Sequence, residues 1–161
     1  MEGRYGKAEN LADFLRKSQA MAYEGERAMF EAYARNKYVS TGVIQWMLNN
    51  AWPSLIWHLY DFYLVPAGGY YGTKKSCELV HVQYSYDDNS VAVVNGKYEP
   101  LTGMKVFAKI YNLDAAEKYT HGVTLDVPRT VPSRPSTFPS RVRRIRHTSC
   151  VSNCTMPVGS W

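Results

Sequence analysis

The 161-residue chain is long enough for one medium domain or two small ones, and its 45% hydrophobic content is ordinary for a globular protein. It has no run of about 18 apolar residues and no apolar stretch near its start, so we expect neither a membrane span nor a signal peptide, and no location follows. Six arginines after residue 127 account for the net charge of +5, so the charge does not support a basic, nucleic-acid-binding face on the remainder.

Residues 10–36 are predicted to form a helix. Asn10 is suited to cap the first turn, with Asp13 as a weak capping-box partner. Gly25 allows a kink or two helices instead, because glycine costs roughly 1 kcal/mol in a helix interior. The apolar face expected from helical spacing includes Leu11, Phe14, Leu15, Met21 and Met29. A solvated face is expected for Glu24, Glu26 and Glu31.

The segment of residues 41–78 is the most distinctive part of the chain, with three of its four tryptophans. Residues 42–48, GVIQWML, are almost all apolar, which indicates a strand buried on both faces, as in a parallel sheet. An aromatic stretch without clear period follows over residues 51–64. After a turn at residues 67–69, residues 70–77 are predicted to form a short helix. Aromatic rings beside polar amides favour a surface that stacks on flat ligands, sugars above all.

From residue 79 the sequence changes to an alternating pattern, so we place a domain boundary near Glu78. Strands are predicted at residues 79–86, 90–94, 105–111 and 123–127, with turns at 87–89 and 95–96. Their spacing suggests an antiparallel sandwich, although four strands are too few for a complete one of seven. The Ser-, Pro- and Arg-rich tail of residues 128–161 is predicted to be disordered.

Residues suited to metal or covalent chemistry are few. The three cysteines, Cys77, Cys150 and Cys154, are an odd number and give no disulfide framework. No second Cys/His pair has the spacing to complete a metal site with Cys150 and Cys154, so we predict no metal and no cofactor. His58 is interpreted as a packing histidine, and Asp61 is not favoured as a catalytic acid. We therefore predict no catalytic residue in this chain.

With RAMFEAYARNKY before it and HVQYSYDDNSVAVVN after it, the segment of residues 41–78 resembles glycoside hydrolase family 2. The resemblance extends over about residues 4–127 and is nearest to exo-β-glucosaminidases and plant endo-β-mannosidases. It implies an α+β fold in which residues 1–78 form the last helix–strand–helix portion of a (β/α)8 barrel. Residues 79–127 would then begin an immunoglobulin-like β-sandwich. On this alignment residues 42–48 correspond to the eighth barrel strand.

The resemblance also implies a function, the retaining hydrolysis of β-mannosides or β-glucosaminides by two glutamates about 5 to 5.5 Å apart. In the family both lie on strands before the first residue of this chain, so we expect an inactive C-terminal fragment whose partners are the missing N-terminal part and a β-linked mannose or glucosamine oligosaccharide. Trp46 matches a tryptophan of the family that lines the −1 subsite, and Asn49 and Trp52 would extend that surface. Asn50 stands where the β-mannosidase pattern W-x-L-N-D-x-W has aspartate.

Two alternatives remain from the sequence. The chain could be a non-catalytic carbohydrate-binding or interaction module. The run RVRRIRH at residues 141–147 could bind RNA or an anionic surface, although we favour a translated intron or frameshifted end and do not expect a nucleic-acid partner.

Overall fold

The computed structural model describes residues 1–37, 39–112 and 115–129, together with the backbone of residues 136–137. In chain order its elements are α1 Glu2–Tyr5, α2 Leu11–Arg35, α3 Gly68–Ser76, β1 Val80–Ser85, β2 Ser90–Asn95, β3 Leu101–Tyr111, β4 Glu117–Val127 and β5 Ser136–Thr137. They form two compact units, Met1–Glu78 with the helices and Leu79–Trp161 with the strands. The mixed α+β content is as predicted. None of the helices within the described ranges has the length and apolarity that a membrane crossing requires.

Helix α2 confirms the first predicted helix to within one residue at each end. The Asn10 side chain accepts a hydrogen bond from the backbone N–H of Asp13 at 2.9 Å, which satisfies one free donor of the first turn. The Asp13 carboxylate in turn pairs with Lys17 and Arg16 at 2.7 Å each. Hydrogen bonds from Lys17 and then Arg16 lower the pKa of Asp13 to about 2. The first turn of α2 is thus fixed by local contacts that the sequence indicated.

The buried and exposed faces of α2 differ from those predicted. Glu26 is only 2% exposed and Glu31 is also buried, so the solvated face expected for them is wrong. Glu31 pairs with Arg27 at 2.6 Å, and the half-buried Glu24 pairs with Arg4 at 3.1 Å. Exposed side chains of the predicted apolar face include Leu11, Leu15, Met21 and Met29. The reason is that α3 packs on the polar side of α2, where Glu26 lies beside its first turn.

Helix α3 packs with its backbone directly on α2. A Cβ atom on Gly68 would overlap the backbone oxygen of Gln19, and one on Gly72 would overlap the backbone oxygen of Tyr23. With the buried Ser76, these glycines recur every four residues and so share one face of the helix. Only residues with little or no side chain allow such a close approach, and this explains why α3 turns that face towards α2.

The predicted helix over residues 70–77 is confirmed, but it begins two residues earlier, within the segment predicted as a turn. Ala67, at the N-cap, has no side chain that could accept from the first turn. Instead, the backbone N–H of Gly68 donates to the Gln19 side-chain oxygen of α2 at 2.6 Å. A contact between two helices therefore replaces the local cap, and the local sequence around residue 67 did not reveal it.

Residues 42–48 do not form the predicted buried strand. The segment is irregular, and the isolated bridges beside it join Lys37 with Ser40 and Asn49 with Tyr60. Ile44 is 90% exposed. A strand requires a neighbour to satisfy its backbone N–H and C=O groups, and among the residues described no strand pairs with this segment.

The second unit contains two antiparallel sheets, one of order β1-β2-β5 and the other a β3-β4 hairpin. All four predicted strands are confirmed, and β3 and β4 extend further than their alternating segments indicated. The predicted turn between β1 and β2 is also present. There the Asp88 carboxylate accepts a hydrogen bond from the N–H of Ser90 at 3.0 Å, and Asn89 has a φ of 57°.

The core of the second unit lies between the two hairpins. Its buried members are Val82, Val91, Val93, Val106, Ala108 and Val127. The register places Val82 opposite Val93, so the alternating apolar residues of β1 and β2 face this core. His81, which pairs with Val94 on the opposite face of the hairpin, is buried as well. The β1-β2 hairpin is therefore covered on both faces.

Asn95 connects the turn after β2 with the end of β4. Its side-chain nitrogen donates to the backbone oxygen of Glu99 at 2.9 Å and lies 3.5 and 3.4 Å from the backbone oxygens of Val127 and Pro128. Its side-chain oxygen accepts a hydrogen bond from the N–H of Lys97 at 3.0 Å. One buried amide thus joins segments more than 30 residues apart.

The predicted disordered tail falls almost entirely outside the described residues. The exceptions are residues 128–129, which follow β4, and the backbone of residues 136–137, which forms β5 and pairs Thr137 with Ala92 and Ser136 with Val93. The assignments of the two units to a (β/α)8 barrel and an immunoglobulin-like sandwich stay predictions.

We expect alanine to destabilise the helix pair at Gly72 and to stabilise it at Gly25. A Cβ on Gly72 would overlap the Tyr23 backbone, and overpacking of this kind costs about 1–3 kcal/mol. Helix α2 is continuous through Gly25, where the sequence allowed a kink, and nothing lies within 4 Å of a Cβ there. Alanine at that position should gain about 1 kcal/mol of helix propensity. Urea unfolding followed by helical circular dichroism measures both, and equal midpoint shifts would contradict the close helix contact.

Candidate functional site

The candidate site lies on the aromatic loop, which we define as residues 46–60. Two hydrogen bonds join the beginning of the loop to its end. The Trp57 indole N–H donates to the backbone oxygen of Trp46 at 3.0 Å, and the N–H of Tyr60 donates to the backbone oxygen of Leu48 at 3.0 Å. The two arms of the loop therefore lie side by side, although neither belongs to a sheet.

All three predicted site residues lie on this loop. Trp46 is 74% exposed and Trp52 is 67% exposed. Asn49 is half-buried, and its side-chain nitrogen donates to the backbone oxygen of Asn50 at 3.2 Å. The peptide bond between Trp46 and Met47 is cis. The structure thus places the two indole rings and the amide on one loop with most of each ring in solvent, and contact with a sugar remains a prediction.

The end of the loop is anchored by tyrosines. The rings of Tyr60 and Tyr70 have centroids 5.2 Å apart, and Tyr70 makes an edge contact with Tyr71 at the same distance. Burial, then the neighbouring Tyr70, raises the pKa of Tyr60. Since Tyr70 and Tyr71 belong to α3, this cluster fixes the last residue of the loop to the helix that packs on α2.

The one acid in the aromatic stretch has a structural role. The Asp61 carboxylate accepts a hydrogen bond from the N–H of Val65 at 2.9 Å, and the N–H of Asp61 donates to the backbone oxygen of Val65 at 3.0 Å. These contacts close a short turn after the loop. The interpretation that Asp61 is not a catalytic acid stays a prediction.

A buried polar pair lies within the loop. Asn50 and His58 are each 5% exposed, and the Asn50 side-chain oxygen is 2.5 Å from Nδ1 of His58. The Asn50 nitrogen donates to the backbone oxygen and the hydroxyl of Ser54, at 3.1 and 3.3 Å. The interpretation of His58 as a packing histidine is confirmed. Its hydrogen-bond partner is Asn50, which the sequence analysis considered only as the residue at the aspartate position of the β-mannosidase pattern.

Glu26 is a buried carboxyl group below the loop that the sequence analysis missed. Its Cγ lies 3.0 Å from the position of a Cβ on Gly69, and the backbone oxygens of Trp57 and His58 lie 3.6 and 3.8 Å from that position. Burial raises the pKa of Glu26, whereas a hydrogen bond from Gln45 acts in the opposite direction. Its Oε2 has no hydrogen-bond partner within the described part of the chain. Helical spacing alone grouped Glu26 with acids on the surface. The glycines at residues 68–69 were the available sign that another segment packs closely on this side of α2.

Comparison with known proteins relates the chain to glycosidases, although no family model matches its sequence. It is 47% identical over 125 residues to an exo-β-D-glucosaminidase of Amycolatopsis orientalis, a match that covers 75% of this chain and 12% of that enzyme. It is 32% identical over 116 residues to the mannosylglycoprotein endo-β-mannosidase of Lilium longiflorum, covering 71% of this chain and 12% of the relative. The solved complex of A. orientalis exo-chitosanase CsxA with PNP-β-D-glucosamine matches 96% of this chain and 20% of that chain, with 36% identity and a TM-score of 0.76.

The helix pair, aromatic loop and hairpins thus align with a portion of these enzymes, and the chain corresponds to a fragment of glycoside hydrolase family 2 enzymes, as the sequence predicted. Within that family it is related to the exo-β-D-glucosaminidases and to the endo-β-mannosidase. It spans between 11% and 20% of the length of the relatives it matches.

The raised pKa of Glu26 predicts that the helical unit loses stability as the pH rises. The folded state binds the Glu26 proton more tightly than the unfolded state does, so stability is greatest below the ordinary glutamate pKa of 4.5 and decreases until Glu26 ionises in the folded protein. Replacement by glutamine should abolish this decrease, because the amide carries no charge to bury. Thermal unfolding across this pH range measures the slope, with the exposed Glu78→Gln as the matched control that should keep it. An unchanged slope in Glu26→Gln would contradict the assignment.

Proposed function

We propose that this chain forms part of the substrate-binding wall of a retaining β-glycosidase that acts on glucosamine- or mannose-containing β-glycosides. Residues 1–78 would correspond to the last helix–strand–helix portion of its (β/α)8 barrel, and residues 79–127 to part of the following immunoglobulin-like sandwich. The observation that carries the proposal is the exposed aromatic loop, with Trp46, Asn49 and Trp52, in a chain so similar to exo-β-D-glucosaminidases.

The exposed groups of the loop suit a pyranose sugar. A sugar ring presents C–H groups on its faces and hydroxyl groups at its edges, so it needs both an apolar plane and a hydrogen-bonding group. The indole rings of Trp46 and Trp52 offer large flat apolar surfaces that are mostly in solvent. The Asn49 amide can donate to and accept from a hydroxyl. We assign the stacking contact to Trp46, the hydrogen bond to Asn49 and an extension of the surface to Trp52.

We assign no catalytic residue to this chain. A retaining glycosidase uses two carboxyl groups about 5 to 5.5 Å apart at the scissile bond. In the helical unit Asp13 pairs with Lys17, Glu31 pairs with Arg27, and Asp61 closes a turn. Glu26 is buried below the loop. The acid/base and the nucleophile would therefore come from the portion of the enzyme that this chain does not match.

The partner that we propose is that remaining barrel portion. Residues 42–48 leave backbone donors and acceptors unpaired by any strand in the described ranges, and Ile44 and Leu48 are exposed beside them. An apolar segment of this kind is suited to lie between neighbouring strands of a parallel barrel, where both faces are covered.

The purified chain should bind a glucosamine oligosaccharide without hydrolysing PNP-β-D-glucosamine. Trp46→Ala should weaken binding about tenfold, the equivalent of about 1.4 kcal/mol, because the stacking surface is lost. Tyr98→Ala is the matched control, since Tyr98 is a 94% exposed aromatic residue in the other unit, and it should bind as the unmodified chain does. Isothermal titration calorimetry measures the affinities. Hydrolysis by the pure chain would show that it contains catalytic groups of its own.

Addition of the chain to an A. orientalis exo-β-D-glucosaminidase that lacks the matched segment should restore hydrolysis. Ile44→Asp should prevent this, because a charge would have to be buried between barrel strands. Tyr98→Asp places the same charge on the second unit and should have no effect. Sugar binding without restored hydrolysis would favour the second candidate function, a non-catalytic carbohydrate-binding module, for which the exposed tryptophans are the supporting observation.

A further inference from the structure

The aromatic loop combines an exposed exterior with a buried polar interior. Its three tryptophans are each more than half exposed, whereas Asn50 and His58 of the same loop are each 5% exposed. Polar side chains this deeply buried in a loop need internal hydrogen bonds, because water does not satisfy them. The contacts of Asn50 and His58 therefore determine whether the loop has one conformation or many.

The hydrogen bonds of this pair determine which ring nitrogen of His58 carries a proton. The Asn50 nitrogen donates to the backbone oxygen of Ser54, so the side-chain oxygen is the atom that faces His58. An amide oxygen only accepts, and the proton between the two residues must therefore be on Nδ1 of His58. Asn50 thus links the imidazole ring to the backbone of Ser54, and Trp52 lies between Asn50 and Ser54 in the sequence.

We propose that Asn50 and His58 are positioning residues that hold the sugar-contacting side chains of the aromatic loop in place. The pair joins the arm that carries Trp46 and Asn49 to the arm that carries Trp57. The contact between the Trp57 indole and the Trp46 backbone closes the base of the same loop. Neither Asn50 nor His58 touches the ligand in this proposal, since both are buried. The role of Asn50 and His58 in sugar binding rests on the proposed function. Their role in ordering the loop follows from the hydrogen bonds and the burial alone.

A direct test is proton NMR of the full chain in water with 15N-labelled histidine. The Nδ1 proton of His58 should give a downfield signal that exchanges slowly with water, because it lies in a buried hydrogen bond. The signal should vanish in His58→Phe, which assigns it, and in Asn50→Leu, which removes the acceptor but keeps a side chain branched at Cγ. Absence of the signal from the unmodified chain would overturn the proposal.

A matched pair of variants separates positioning from simple packing. His58→Phe keeps an aromatic ring but loses the donor, whereas His58→Asn places a donor near the position of Nδ1. The near-ultraviolet circular dichroism of the tryptophans should collapse in His58→Phe and persist in His58→Asn, while the helical signal of α2 remains in both. An unchanged tryptophan spectrum in His58→Phe would overturn the proposal, as would a collapse in His58→Asn with the helices intact.

Calorimetry with a glucosamine oligosaccharide adds the functional readout. His58→Phe should weaken binding roughly tenfold, the effect of one lost hydrogen bond to a buried group, and His58→Asn should recover most of it. If the unmodified chain binds no sugar, the proposed function fails, and the NMR and dichroism results still decide whether Asn50 and His58 order the loop.

Discussion

The backbone of α3 lies directly on the backbone of α2, and the arrangement of the first unit depends on this contact. Gly68 and Gly72 permit it, since a Cβ at either position would overlap a carbonyl oxygen of α2. The approach brings the Gln19 side chain to the first turn of α3, where it replaces a local cap. It also places Tyr70 against Tyr60, and thereby fixes the end of the aromatic loop. Without the two glycines, the end of the loop at Tyr60 would lose its attachment to the helix pair.

The exposed tryptophans depend on polar groups that solvent does not reach. Beneath the loop, Glu26 is buried next to Gly69, and within the loop Asn50 bonds to His58. A ligand surface made of loop residues gains affinity when its conformation is set before binding, because less entropy is then lost. Rigidity here comes from a few hydrogen bonds and not from a sheet. This arrangement makes the loop sensitive to substitutions at residues that would not touch the ligand.

The sequence predicted those elements whose causes are local. Asn10 begins α2 because its own side chain caps the helix, and the alternation around Val82 follows from the pleat of a strand. The burial of Glu26 was not predictable in this way, since it requires glycines more than 40 residues later in the chain to admit α3. Residues 42–48 have the composition of a buried strand but lie without strand partners in the described ranges. Trp46, Asn49 and Trp52 were predicted as site residues through the family resemblance. The pair of Asn50 and His58 belongs to a stretch without periodicity, so no sequence pattern indicated it.

The buried amide of Asn95 also affects the chemical durability of the second unit. Asn95 precedes Gly96, and in an unfolded chain an Asn-Gly pair readily deamidates, because the backbone nitrogen of the glycine attacks the side-chain carbonyl and expels ammonia. In the folded unit that nitrogen donates to the backbone oxygen of Leu79 at 2.5 Å, and the Asn95 amide donates to Glu99. Folding thus restrains both reactants. A carboxylate formed there after unfolding could not donate to the Glu99 oxygen, so each unfolding excursion risks a covalent lesion that opposes refolding.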